Sequence, residues 1–477
     1  MAIGSIGPQG FRVWNFLRRV IWFGLILTVL FFGIWGFENW RGGSEWRRAK
    51  ERAARMQVSL DLGDDPGKAV PEGGSLMEDG IFLAEWEGQI DPPLARVADM
   101  ELEGVKTRGI NSGSLARGKS FRYSQYFEEG VGEKKAVRRL GKIYQPIAER
   151  LERLGKVVLK KPQQDLWSES DGLIDFGTIF RLKGMTNAFG EFARISLRRG
   201  DSEKAGWACE VLARLRENSC EPALINLLIS HSIDRVRDEI IWEGIRLHRW
   251  DRGDLDRLAA LVQAGPDYEG LEKALRYEAA ITESFVEGAE ERNVELLEDP
   301  GVSWKDLDLE TLDERLRNWT SFQGPAGWQN WRKATMLNGV LYLLEGREGW
   351  VRPGEGRVVT GDLNAFEKSR FHPLLWVRGI RGSGVDSLVS VQRQATRGRL
   401  ARIAIELERY RLKKRRYPAS LDEMNFTFST QDLTDPEGRD LRYERTAAGF
   451  FRIWSEFERE GVRRPMLQWA FPETGGK

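Results

Sequence analysis

An uncharged, mostly apolar run of eighteen residues, Val20 to Phe37, is the feature that most constrains how this chain folds. Such a run is just long enough to cross the hydrocarbon core of a bilayer as one helix. Because it is apolar on all sides, it fits a membrane span better than the alternative, the core helix of a soluble domain. Tryptophans near both ends match an aromatic belt: Trp14, Trp22, Trp35 and Trp40.

The flanks of this run predict an uncleaved signal-anchor. Arg12, Arg18 and Arg19 precede it, as in a signal peptide, but no small-x-small cleavage site follows. Basic residues also follow it closely: Arg41, Arg47, Arg48, Lys50, Arg52 and Arg55. A count of the basic residues on the two sides of the run places the large region in the cytoplasm. Against this, short basic N-terminal tails stay in the cytoplasm and long domains translocate largely regardless of charge, which places the large region outside. Of the two orientations, we expect an inner-membrane protein whose large region lies outside, in the periplasm.

Composition excludes several kinds of site. With 73 basic and 72 acidic residues the net charge is +1, which gives no electrostatic argument for binding nucleic acid. Cys209 and Cys220 are too few for a disulfide framework or a thiolate metal site. They can form a bridge if the chain reverses near Asn218, but not if both lie on one helix. We expect free, buried thiols.

The sequence pattern predicts a mainly α fold: an N-terminal transmembrane helix, an antiparallel helical array and a small C-terminal α+β module. Leucines and isoleucines recur at helical spacing between residues 134 and 298, with a break at Asp251 and Gly253. Residues Glu45–Met56 read as a charged helix that either lies on headgroups or forms a solvated stalk. The segments are a tail (1–19), the signal-anchor (20–37), a juxtamembrane helix and linker (38–80), a helical domain (81–345), a loop-rich linker (346–384) and the α+β module (385–477).

Residues 385–477 carry the most distinctive local pattern. A long helix over 385–413 is followed by Ser420 and Glu423, spaced as a capping box that opens a short helix. A turn at residues 435–438 and two strands, 441–445 and 450–455, joined by a hairpin, complete the module.

This order of motifs resembles the C-terminal module of type II secretion major pseudopilins. The residues that carry the resemblance are Leu407-Glu408-Arg409-Tyr410, Tyr417-Pro418, Ser420-Leu421, Asp435-Pro436, Gly438, Leu441 and Tyr443. The resemblance implies a helix packed on a small sheet, followed in pseudopilins by a calcium-binding loop. The equivalent residues 455–461 lack the closely spaced Asp and Gly of that loop, so no calcium site is carried over.

The whole chain also resembles a group of large bacterial proteins with a single membrane anchor. Three stretches carry this likeness: Glu38-Asn39-Trp40-Arg41-Gly42 with Trp46, Pro325-Ala326-Gly327-Trp328, and Trp469, Phe471 and Pro472. The likeness implies one continuous architecture and no particular activity.

One motif matches an enzyme pattern. Residues Gly113–Ser120 (GSLARGKS) fit the Walker A consensus, in which Lys119 would reach the terminal phosphates and Ser120 would bind magnesium. A buried apolar strand should come directly before it, but Glu103-Gly104-Val105-Lys106 does not form one. An exposed basic turn is therefore the preferred interpretation, with a nucleotide site as the alternative.

The remaining candidates are histidines and tryptophans. His231, His248 and His372 show no metal-ligand spacing. His231 shares a helical face with Leu224 and reads as a core histidine; a catalytic role would require a nucleophile or a carboxylate beside it. Trp328, Trp331 and Trp350 form either a groove for a peptide or glycan or, more simply, helix packing.

We therefore assign no catalytic, cofactor-binding or metal-binding residues. We expect a non-catalytic envelope scaffold or adaptor that contacts the lipid bilayer and another envelope protein, but no nucleic acid and no nucleotide. The alternative is an envelope hydrolase with a site around His231 and neighbouring acids such as Asp234.

Overall fold

The computed structural model describes most helices and the C-terminal sheet. The described residues are 8–60, 148–160, 176–218, 223–262, 265–297, 326–346, 383–424, 432–435, 439–459 and 462–470. The chain divides into two units, which are described separately. The first contains Met1–Asp64, Glu278–Tyr342 and Asn364–Arg381, and the second contains Asp65–Tyr277, Leu343–Leu363 and Gly382–Lys477.

The N-terminal helix α1 is one unbroken element, Pro8–Arg55. None of its most apolar window is buried, and side chains such as Val29 and Phe32 are 70% and 65% exposed. The alternative of a core helix is therefore wrong, because a core helix buries its apolar side chains. Near the N-terminus the chain thus has one helix that is long and apolar enough to cross a membrane.

The C-terminal part of α1 is packed inside the first unit. Trp46, Ala49 and Ala53 form a buried stripe, spaced at one helical turn. Arg52 Nη1 donates a hydrogen bond to Oδ1 of Asn338 at 3.0 Å. Asn338 lies on helix α8 (Ala326–Glu345), most of which belongs to this unit and which falls within the region 81–345 that the sequence predicts to be helical. One face of the juxtamembrane helix is therefore packed in the first unit, so the helix is not a fully solvated stalk, while Arg47, Arg48 and Lys50 remain exposed.

The second unit is built on the predicted helical array. Its helices are α2 (residues 148–160), α3 (Phe176–Arg199), α4 (Ser202–Asn218), α5 (Leu224–Arg246) and α6 (Arg252–Leu261), followed by α7 (Tyr268–Leu297), which begins in this unit. Helices α3, α4 and α5 pack pairwise on one another, and α6 packs on α4. Asp251 caps α6 through a capping box with Asp254, which explains the break predicted there.

The C-terminal α+β module contains a long helix and a three-stranded sheet. Helix α9 (Ser383–Lys414) leads into a 3-10 helix (Leu421–Met424), and the antiparallel strands β1 (Arg442–Arg445), β2 (Phe451–Arg459) and β3 (Val462–Ala470) follow in that order. The hairpin between β1 and β2 was predicted. Strand β3 was not, and β2 continues to Arg459, beyond the predicted end of that strand at residue 455.

The α+β module shares one hydrophobic core with the helical array. Helix α9 packs on α5 and α6 and also against β2 and β3. Trp242 of α5 stacks on Trp469 of β3, with ring centroids 5.2 Å apart, and meets Phe451 edge-on at 5.7 Å. These contacts make α5 the central element of the second unit.

Candidate functional site

Helix α5 carries three buried charged residues, Asp234, Arg237 and Asp238, which together with Gln394 of helix α9 are called the α5 charge cluster below. Arg237 is 1% exposed, and its Nη1 and Nη2 lie 2.7 Å from Asp234 Oδ1 and 3.1 Å from Asp238 Oδ1. Gln394 of α9 donates from Nε2 to Asp238 Oδ2 at 3.0 Å. Arg216, on α4, donates to Asp234 Oδ2 at 3.2 Å. The cluster therefore links α4, α5 and α9 through polar contacts.

Burial sets the electrostatics of this cluster. It raises the pKa of Asp238 to about 6, against the opposing pull of Arg237. For Arg237, burial lowers the pKa, but the charges of Asp238 and Asp234 outweigh burial and raise it overall. Because each buried charge has an opposite charge beside it, the cluster reads as a structural ion-pair network.

His231 lies one turn before this cluster on α5. Its Nδ1 is 3.1 Å from the hydroxyl oxygen of Ser390 on α9, and the residue is 7% exposed. Burial lowers its pKa to about 4, although the nearby carboxylates of Asp234 and Asp267 raise it in part. The imidazole is therefore neutral at physiological pH.

The His231–Ser390 pair has part of the geometry of a nucleophile and its base. A serine hydroxyl within hydrogen-bond reach of an imidazole is the first requirement of such a site. A base with a pKa near 4 is weak at neutral pH, however, since general-base catalysis works best near the operating pH. The neighbouring Asp234 is engaged by Arg237 and Arg216. The geometry favours a satisfied core histidine, as the sequence predicted.

His248 occupies a different position, just beyond the end of α5. Its backbone is left-handed (φ 52°), and its Nδ1 lies 3.2 Å from Oε1 of Glu408, a fully buried residue of α9. Tyr417 and Arg411 also donate to Glu408, at 2.6 Å and 2.7 Å. Burial raises the pKa of Glu408, but these three hydrogen bonds outweigh it and the net pKa is lowered. The contact between His248 and Glu408 therefore holds α9 against the chain just after α5.

Cys209 is a free, buried thiol on α4. Burial raises its pKa to about 12, so it is neither a nucleophile nor a metal ligand at neutral pH. Helix α4 ends at Asn218, and Cys220 lies outside the described residues.

Several predicted candidates also lie outside the described residues: the Walker-like segment Gly113–Ser120, His372 and Trp350. Trp328 and Trp331 are both on α8 and partly buried. Within the described ranges, no three His, Cys, Asp or Glu side chains are arranged to hold a metal ion.

Sequence reasoning missed the charge cluster although a signal was present. Asp234, Arg237 and Asp238 have the i, i+3, i+4 spacing of one helical face, and Ile233, Ile240 and Ile241 on the same helix are also buried. The partners Ser390 and Gln394 had no signal, since they lie more than 150 residues away. Comparison with known proteins adds nothing to this site: no protein-family model, no curated protein and no solved structure matches the chain.

Proposed function

We propose that this protein is a non-catalytic, membrane-anchored scaffold or adaptor of the bacterial envelope, which holds another protein at the inner membrane. The observation that supports this is the continuity of α1. One helix carries the exposed apolar run and, without a break, the buried stripe of Trp46, Ala49 and Ala53. A span built into a folded unit fixes that unit at the membrane surface, which suits a scaffold.

The remaining features agree with a binding role. The buried polar groups around His231 and Arg237 are paired with one another and hold helices together. The second unit combines a helical array with a small sheet. The order of motifs in residues 385–477 resembles that of pseudopilins, which assemble in the envelope, and this resemblance supports the proposal. Fold-level likeness of this kind leaves the partner unnamed.

Membrane topology is the first test of the envelope role. Two reporters would be fused after Lys477 in separate fusion proteins, one active only outside the cytoplasm and one only inside. Activity of the outside reporter supports a periplasmic scaffold. Activity of the inside reporter contradicts it, and the nucleotide hypothesis for Gly113–Ser120 would then be tested with Lys119→Ala.

The hydrolase alternative rests on one observation, the 3.1 Å contact between His231 and Ser390. A fluorophosphonate probe, which labels activated serines, tests it in the full-length chain. We expect no labelling that depends on Ser390, because the neighbouring imidazole is a weak base. Labelling that is present in the wild type and lost in both Ser390→Ala and His231→Ala would contradict the scaffold proposal.

A further inference from the structure

A run of exposed cations lies at the C-terminal end of helix α9. Lys413 and Lys414 end the helix, and Arg415 and Arg416 follow it. Arg445 of β1 joins them, because its Nη1 donates to the carbonyl oxygen of Tyr417 at 3.2 Å. The five exposed residues, called the α9 tip below, are Lys413, Lys414, Arg415, Arg416 and Arg445.

The cations of the α9 tip differ from the arginines one turn earlier. Arg409 pairs with Glu406 and Asp256, and Arg411 pairs with buried Glu408. The cations that follow Arg411 form fewer ion pairs. Arg416 is 3.4 Å from Glu423, while Lys413, Lys414 and Arg415 contact no carboxylate among the described residues. The α9 tip is therefore a local excess of positive charge on a chain whose net charge is only +1.

The backbone at Arg415 is left-handed. Its φ is +60°, and its N–H donates to the carbonyl oxygen of Arg411 at 2.7 Å, which is the left-handed cap that usually carries glycine. An arginine there costs stability relative to glycine. The helix dipole favours cations in the last turn, which accounts for Lys413 and Lys414. Gln57 and His248 have the same left-handed backbone just after α1 and α5, so this conformation recurs at helix ends in the chain.

The surroundings of the α9 tip select among anionic partners. Among the described residues, the large apolar side chains that are exposed lie on α1 or at Leu159, so none of them lies at the tip. Protein interfaces draw much of their binding energy from a few aromatic and arginine side chains that are buried in well-packed pockets of the partner. Clustered Lys and Arg without exposed large apolar side chains beside them suit a diffuse anionic surface instead. We propose that the α9 tip binds anionic phospholipid headgroups, a property that does not depend on the proposed adaptor function.

Vesicle flotation tests this proposal with the full-length chain held in phosphatidylcholine nanodiscs. The nanodiscs are mixed with vesicles of phosphatidylcholine alone or with added phosphatidylglycerol. We expect binding only to the second kind, weakening as salt rises. The variant Lys413→Gln/Lys414→Gln/Arg415→Gly should bind about a hundredfold more weakly, from roughly a fivefold loss for each cation. The control Lys156→Gln/Lys160→Gln/Lys183→Gln removes the same charge from exposed positions on α2 and α3 and should bind as the wild type does.

The single variant Arg415→Gly separates binding from folding. It should raise the melting temperature, since glycine relieves the left-handed backbone, and still lose about fivefold in vesicle binding. Equal binding to both vesicle types, or equal losses in the tip and control variants, would overturn the proposal. So would tighter binding of a polyglutamate peptide than of phosphatidylglycerol vesicles, which would assign the tip to an acidic protein segment.

Discussion

Gly244 of α5 shows how closely side chains fit in this protein. A Cβ atom at that position would lie 2.0 Å from Nε1 of Trp250, a residue that is only 2% exposed. The same indole nitrogen donates to the carbonyl oxygen of Ile241 at 2.9 Å. The ring can therefore move only by breaking a buried hydrogen bond, which explains a glycine in the interior of a helix.

We expect Gly244→Ala to lower the free energy of unfolding by about 2–4 kcal/mol, because the methyl group overpacks a closed site. The matched control is Gly206→Ala on α4, where the nearest neighbouring atom would be 3.9 Å from the new Cβ. That variant should gain about 0.5–1 kcal/mol from helix propensity. Urea unfolding followed by circular dichroism measures both changes, and a loss of similar size in the two variants would contradict the clash.

His231 makes stability depend on pH with a definite sign. Its folded pKa, about 4, lies below the ordinary value of 6.5, so the folded state favours the neutral imidazole. The stability it contributes is present above pH 6.5 and is lost as pH falls toward 4. His231→Asn keeps a polar group near Ser390 but cannot titrate. Relative to this variant, the wild type should lose up to about 3 kcal/mol across that window. A constant difference in melting temperature between the two proteins would refute the assignment.

At the scale of elements, the helices hold one another through buried charge as well as through apolar contacts. Arg237→Met leaves Asp234 and Asp238 buried without their main counter-ion, and we expect a loss of about 3–5 kcal/mol. Arg257→Met is the control, since the Arg257 side chain is 50% exposed and its pair with Asp254 should be worth less than about 1 kcal/mol. Chemical denaturation gives the loss of unfolding free energy in each variant, and the ratio of the two losses tests whether the α5 charge cluster stabilises the fold.

Three long helices and one hairpin were predictable from the sequence, whereas strand β3 was not. Helices α5, α8 and α9 follow from apolar residues repeated over several turns, and the β1–β2 hairpin follows from alternation around a turn. Strand β3 was missed because it contains Pro465, which argues against an interior strand. The structure places Pro465 on an edge strand opposite Glu456, beside an irregularity in β2 after Ser455. The contacts His231–Ser390 and Asp238–Gln394 depend on tertiary packing, which local patterns do not encode.

At the scale of the whole second unit, one core joins the helical array to the α+β module, and the two should therefore unfold together. Ile453 of β2 and Ile240 of α5 are both fully or almost fully buried in that core. We expect their amides to show similar protection in native-state hydrogen exchange, and Gly244→Ala to reduce both by the same factor. Exchange of the β2 amide that is unchanged in the variant would show that the sheet opens independently of α5.

The unbroken course of α1 also fixes a rotational phase. Each residue of an α-helix turns the chain by about 100° and advances it by about 1.5 Å. One residue inserted between Phe37 and Trp46 would rotate the apolar run by about 100° about the helix axis relative to the buried stripe. Seven inserted residues would nearly restore the original orientation and would only lengthen the helix by about 10 Å. In a bilayer, rotation of the apolar run about the helix axis would turn the first unit with it, because the helix between them has no break.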